Sequence, residues 1–200
     1  MATIYTIGHS TRTLEELLAA LRGHGVTTLV DVRAFPMSRR LPHFNRESLE
    51  RELPQHGISY VWMKELGGRR KKVLTESPNK ALRDQSFRNY ADYMMTGEFE
   101  RGIGRLLEVV ERTAGPSTRS PEATSLRMTP AESGAGGTAI MCAERVYFQC
   151  HRMLVSDYLV AHGHTVWHID NEKRAPRVHT LMEEARLEGD KLVYDGGRLL

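Results

Sequence analysis

The chain has 200 residues, 40% hydrophobic and 26% charged, with two cysteines and a formal net charge of +3. That length buries a core without covalent staples, and two cysteines make no disulfide framework. No apolar run approaches the roughly 20 residues of a membrane helix, so a disulfide-built secreted scaffold and a membrane-spanning protein are both excluded.

Met1-Ala2-Thr3-Ile4 leads straight into a strand-like run, so no signal peptide and a reducing, cytoplasmic setting are expected. Ile4-Tyr5-Thr6-Ile7 reads as the first strand, ending at Gly8-His9-Ser10. Thr13 and Glu16 have capping-box spacing ahead of a helix over 14–22, with Leu14, Leu17, Leu18 and Leu21 on one face. Leu29-Val30-Asp31-Val32-Arg33 is the second strand. Strand, helix and strand within about 30 residues make a βαβ unit with parallel strands.

An arginine-rich loop over 34–46 follows, and Asn45 is placed to cap a helix over 46–55. Ile58 to Trp62 reads as a third strand, followed by the cationic turn Gly67-Gly68-Arg69-Arg70-Lys71-Lys72. Residues 73–88 read as irregular, and 90–95 and 99–112 as helical. Residues 113–137 are rich in Gly, Pro, Ser, Thr and Ala, which predicts a mobile insertion rather than a domain boundary.

Ala139-Ile140-Met141 is a fourth strand that turns polar at Cys142-Ala143-Glu144. Cys150-His151-Arg152 then opens a helix running to about residue 160, and residues 165–169 are a fifth strand. The extension 179–200 holds a candidate edge strand at Lys191-Leu192-Val193-Tyr194. The expected architecture is one α/β domain over 1–200, with a central, mainly parallel sheet of about five strands.

The strand ends carry His9 and Ser10, Asp31 and Arg33, Lys64 and Glu65, Cys142 and Glu144, and His168 and Asp170. In a parallel sheet these open onto one rim, where α/β proteins bind ligands.

Ile7-Gly8-His9-Ser10, Asp31-Val32-Arg33 with Pro36 and Ser38-Arg39, and Phe44-Asn45 together resemble the family catalogued as domain of unknown function 488. So do Leu66-Gly67-Gly68-Arg69, Phe87-Arg88 with Tyr90-Ala91, and Cys142-Ala143-Glu144 with Cys150-His151-Arg152. The resemblance implies an α/β fold with a polar, arginine-rich pocket in prokaryotic cytoplasmic proteins. It implies no reaction. Members usually carry a Pro-Trp pair and a basic residue before Cys150, where this chain has Tyr147-Phe148-Gln149.

Several chemistries compete for these residues. A helix start at Cys150-His151-Arg152 favours an anion, with Arg152 as a planar fork for phosphate. Asp31 and Glu144 read either as an acid–base pair or as holders of arginines. Cys142, Glu144, Cys150, His151 and His9 are candidate ligands for a transition metal, Cys142, Cys150 and His151 foremost, although no CxxC is present and no cofactor is expected. Arg33, Arg39, Arg40, Arg46, Arg69, Arg70, Lys71 and Lys72, with Phe35, Phe44 and Trp62, suit a phosphate backbone and stacked bases.

The leading expectation is an enzyme on a phosphate-bearing substrate, a nucleotide or nucleic acid, with no membrane partner. Asp31, Glu144, Cys150 and His9 are its candidate catalytic residues; Arg33, Arg39, His151, Arg152, Ser10 and Arg69 its candidate anion ligands. A non-catalytic nucleic-acid module and a thiol- or metal-dependent enzyme are the alternatives.

Overall fold

The computed structural model describes residues 1–115 and 136–196. The expected insertion at 113–137 lies mostly outside the described residues, as does the end of the 179–200 extension. One mixed sheet holds β1 (Thr3–Gly8), β2 (Val26–Asp31), β3 (Ser59–Trp62), β4 (Gly137–Cys142), β5 (Thr165–Ile169) and β6 (Arg177–Val178). Its order is β3-β2-β4-β1-β5-β6. The first five strands are parallel, and β6 joins antiparallel to β5. The helices among the described residues are α1 (Leu14–Gly23), α2 (Arg46–Gln55), α3 (Gln85–Met94), α4 (Gly97–Ala114) and α5 (Arg152–Ala161). None is long and apolar enough to cross a membrane.

The strand order fixes the layers. β1 to β2 and β2 to β3 carry the chain toward one edge of the sheet; the next two connections carry it the other way. Right-handed crossovers then put α1 and α2 on one face and α3, α4 and α5 on the other. The two cores agree. Leu17, Leu21, Leu49 and Leu53 pack with Tyr5, Leu29 and Ala139. Tyr90, Phe99, Leu106 and Leu154 pack with Ile4, Val30, Ile140 and Val166. Neighbouring strand residues alternate between the two cores, as the strand period of two demands.

Local signals set most element starts. Thr13 and Glu16 form the reciprocal capping box on α1. α2 runs over the expected residues, but Asn45 does not cap it: its side-chain oxygen accepts from the Ser38 N–H at 2.6 Å and braces the arginine-rich loop instead. α3 begins earlier than expected, because Asp84 accepts from the Ser86 and Phe87 N–H groups and caps a helix that starts at Gln85. Lys191–Tyr194 is not an edge strand of the main sheet. As β8 it pairs with β7 (Ala185–Glu188) in a separate antiparallel hairpin.

Candidate functional site

The carboxyl ends of β1, β2 and β4 are laced together beyond the strands. His9 N–H donates to Cys142 O, Ser10 N–H to Ala143 O and Val32 N–H to Met141 O, each at 2.9 Å. Gly8 is what allows this approach: a Cβ there would stand 1.9 Å from the Glu144 carbonyl oxygen. Ser10, next in line, takes a left-handed backbone conformation (φ 49°).

A pocket of about 510 Å³ opens beside this junction. It lies where connections leave β2 and β4 for opposite faces, the switch point of a parallel sheet. Arg33, Arg69, Cys142, Glu144, Cys150 and His151 line it, together with Phe35, Met37, Phe87 and Tyr90. Strand parity explains the thiol. Cys142 follows Met141 on β4 and so faces the α3–α5 side, where the loop before α5 delivers Cys150 and His151.

The two sulfurs and the imidazole form a compact cluster. Cys150 Sγ lies 3.5 Å from His151 Nδ1, and Cys142 Sγ lies 3.9 Å from it. All three donor atoms fall within 4.8 Å of one another, all three residues are buried, and both cysteines are free. His151 Nε2 is 3.1 Å from the Val32 carbonyl oxygen. A carbonyl only accepts, so the neutral ring carries its proton on Nε2 and turns the Nδ1 lone pair toward the sulfurs.

Gly68 presses on the same ring. A Cβ there would stand 2.3 Å from Nδ1, 2.7 Å from Cγ and 2.9 Å from Cε1, which is over the ring face and clear of the lone pair. The two thiols shift each other in opposite directions. The Cys142 thiol donates to Cys150, which pulls the Cys150 pKa well below the usual thiol range against its burial, and pushes that of Cys142 well above it.

A tetrahedral zinc ion, about 2.3 Å from sulfur and about 2.0 Å from nitrogen, holds such ligands about 3.6 Å apart. The observed sulfur–nitrogen distances of 3.5 and 3.9 Å sit around that value. The hydrogen bond from Nε2 to Val32 is the outer support that metal-bound histidines ordinarily have. The donor types and these two distances match what a borderline-soft divalent ion takes.

Asp31 does not join this cluster. It pairs in register with Met141, faces the α1–α2 side and is fully buried. Its oxygens accept from the Arg33 backbone N–H at 3.0 Å, Arg33 Nε at 2.9 Å, Arg33 Nη2 at 2.5 Å and the Tyr60 hydroxyl at 2.6 Å. Asp31 and Glu144 are consequently not a carboxylate pair. Arg33 spends its fork on Asp31, the Phe44 carbonyl (2.8 Å) and His9 Nε2 (3.2 Å), which leaves one of its five N–H groups for a ligand. His9 stacks on buried Phe44, and burial next to Arg33 lowers its pKa to about 4. It is a neutral acceptor behind Arg33, away from the pocket.

The remaining candidates divide. Glu144 and Arg69 are exposed on the pocket wall. Ser10 lines a different cleft with Arg12 and Glu16. Arg39 is exposed on its loop, outside the pocket lining. Arg152 turns away from the thiols, with Nη2 donating to the Glu144 carbonyl. The base-stacking set also breaks up. Phe44 is fully buried, Trp62 donates to the Arg33 carbonyl and lies under Arg46, and Arg70 packs over Tyr93 while holding three carbonyls of its own loop.

A buried polar chain also escaped the sequence reading. Thr6 Oγ1 lies 2.7 Å from His168 Nδ1, His168 Nε2 2.9 Å from His179 Nδ1, and His179 Nε2 2.9 Å from Asp157 Oδ1. Asp157 also accepts from the Met182 N–H at 3.0 Å and the Tyr194 hydroxyl at 3.1 Å. Burial, with His179 and Arg152 nearby, lowers the His168 pKa to about 3. Tyr147, which stands where a Pro-Trp pair was expected, stacks on His168 at 3.5 Å. No local motif announces a chain whose hydrogen-bonded neighbours lie up to 162 residues apart.

No curated protein and no solved structure matches the chain. One family model does, over residues 13–116, which takes in the arginine-rich loop, Gly68, Arg69 and Tyr90. The match spans half of the chain, and the chain belongs to the family described as Domain of unknown function DUF488.

Proposed function

We propose that the protein is a metal-dependent hydrolytic enzyme acting on a phosphate-bearing substrate, a nucleotide or a fragment of nucleic acid. One observation carries this reading: Cys142, Cys150 and His151 meet, already spaced for a tetrahedral ion, at a pocket open to exposed Arg69 and Glu144. Three protein donors leave a fourth position for water, as catalytic zinc sites do. The ion would supply a water whose pKa is lowered toward neutrality.

The protein's own groups divide the other tasks. Glu144, exposed on the pocket wall, would take a proton from the attacking water and return it to the leaving group. Arg69, with the last free N–H of Arg33, holds the anionic part of the substrate. Phe35, Met37 and Phe87 offer an apolar wall for the rest. Asp31 and His9 act only through Arg33, by fixing its guanidinium. Two buried free thiols suit a reducing compartment, the cytoplasm in this reading.

A pure nucleic-acid module fares worse, because Phe44, Trp62, Arg46 and Arg70 are already committed within the fold. A metal-free thiol enzyme using Cys150 is the second reading, favoured by the hydrogen bond it receives from Cys142.

Metal content decides between them. Tagless protein purified anaerobically should carry close to one zinc or iron per chain. Cys142→Ser, Cys150→Ser and His151→Ala should lose it while keeping the wild-type circular dichroism. Metal-free wild-type protein whose Cys150 is alkylated rapidly at neutral pH would overturn the metal reading in favour of the thiol enzyme.

A further inference from the structure

On the far side of the loop that carries Glu144 lies a second, smaller cleft of about 260 Å³. Arg145, Arg152, Arg174 and Arg177 line it, with His168 and a single carboxylate, Asp170. That carboxylate is already divided among three arginines: Arg145 at 3.2 Å, Arg174 at 3.4 Å and Arg12 at 3.8 Å. Among the described residues, Arg152 and Arg177 have no carboxylate within ion-pair distance. Arg152 is only 1% exposed, and its Nε–H meets no acceptor. Its Nη2 donates to the carbonyls of Glu144 and Arg145, and the Cys150 thiol, whose pKa it helps to lower, is an acidic group within its electrostatic reach. No carboxylate accompanies that buried guanidinium, and unpaired buried charge is costly, so the arrangement points to an anion on the cleft side.

We infer that this cleft is a second anion site, built for the phosphate group of a small phosphomonoester. A phosphate offers several acceptor oxygens to converging guanidinium forks. The cleft admits that group with a small substituent and no more. His168 adds no charge to the lining, since its two ring nitrogens meet Thr6 and His179 and burial lowers its pKa to about 3.

The site also has a consequence for the pocket across the loop. Arg145, Val146, Tyr147 and Phe148 face the cleft, while Ala143, Glu144, Gln149 and Cys150 face the thiol pocket. One segment is the wall of both. An anion gripped by Arg145 and Arg152 pins that wall, and with it Glu144 and Cys150. The inference needs no metal and does not rest on the hydrolase reading.

Inorganic phosphate is the probe. Calorimetric titration in low salt should give saturable binding with a component at this cleft, beside any at the thiol-pocket arginine Arg69. The exposed pair Arg145→Ala/Arg177→Ala should weaken that component by about tenfold or more, while Arg69→Ala in the thiol pocket leaves it unchanged. Phosphate should also slow amide exchange across residues 143–150 in the wild type. Absence of saturable binding, binding untouched by the paired substitution, or binding abolished by Arg69→Ala would each overturn the proposal. Metal content measured on the same samples reports separately on the first pocket, so failure of one reading leaves the other standing.

Discussion

Asp31 and Cys142 stand at the carboxyl ends of adjacent parallel strands, one register step apart, yet their side chains lie on opposite faces of the sheet. Asp31 goes beneath Arg33 on the α1–α2 side, and Cys142 goes to Cys150 and His151 on the α3–α5 side. The rim therefore carries two independent polar centres, and substitutions should separate them.

Asp31→Asn tests the first centre. Removing the carboxylate charge leaves Arg33 buried without its counter-ion, which costs about 3–5 kcal/mol. Urea unfolding should show that loss, while metal content stays at the wild-type level because the thiol cluster does not touch Asp31. Stability within about 1 kcal/mol of wild type would show that the ion pair is not what holds this corner.

Gly68→Ala tests the second. The new Cβ would fall 2.3 Å from His151 Nδ1, and the ring is held from its other nitrogen by Val32. The imidazole must shift, at a cost of about 1–3 kcal/mol. Bound metal, or Cys150 alkylation in a metal-free protein, should change by more than the stability does. An unchanged cluster would mean that the 67–68 backbone yields instead.

Acid should destabilise the protein through two histidines. His9 and His168 have folded-state pKa values lowered to about 4 and about 3, against 6.5 for a free histidine. The unfolded chain binds these protons first. Their contribution is complete above about pH 6.5 and is lost as pH falls toward the folded values, at about 1.4 kcal/mol per pH unit for each group. Denaturation midpoints between pH 7 and pH 4 should show the slope, and His9→Gln should reduce it by one proton. A slope that His9→Gln leaves unaltered would remove His9 from the account.

Asp157→Asn tests the buried chain. Asp157 gathers His179, the Met182 N–H and the Tyr194 hydroxyl, which together tie residues 179–194 to α5. An amide cannot accept at both positions, and a stranded buried donor costs about 1–3 kcal/mol. Hydrogen exchange should accelerate in 179–196 before it does in the sheet. Uniform acceleration would make Asp157 a global rather than a local support.

Much of the fold was legible because it rests on local chemistry. Short apolar, β-branched runs marked the five parallel strands, Thr13 and Glu16 marked the start of α1, and the βαβ unit implied parallel order and a shared rim. The Cys142 and Cys150-His151 stretch was visible for the same reason: strand, turn and helix start are neighbours in sequence.

What remained hidden depended on direction and distance. Only strand parity in the assembled sheet separates Asp31 from Cys142. Only loop packing turns Arg152 away from His151 into another cleft. Asn45 had the right residue type for a cap, but a stronger claim from the Ser38 N–H. The Thr6–His168–His179–Asp157 chain joins residues that tertiary packing alone brings together. Sequence determined which chemistries this protein carries, because residue types and local periodicity are intrinsic to the chain. The tertiary structure decided which of them share a cavity, because side-chain direction and long-range contact exist only once the sheet is built.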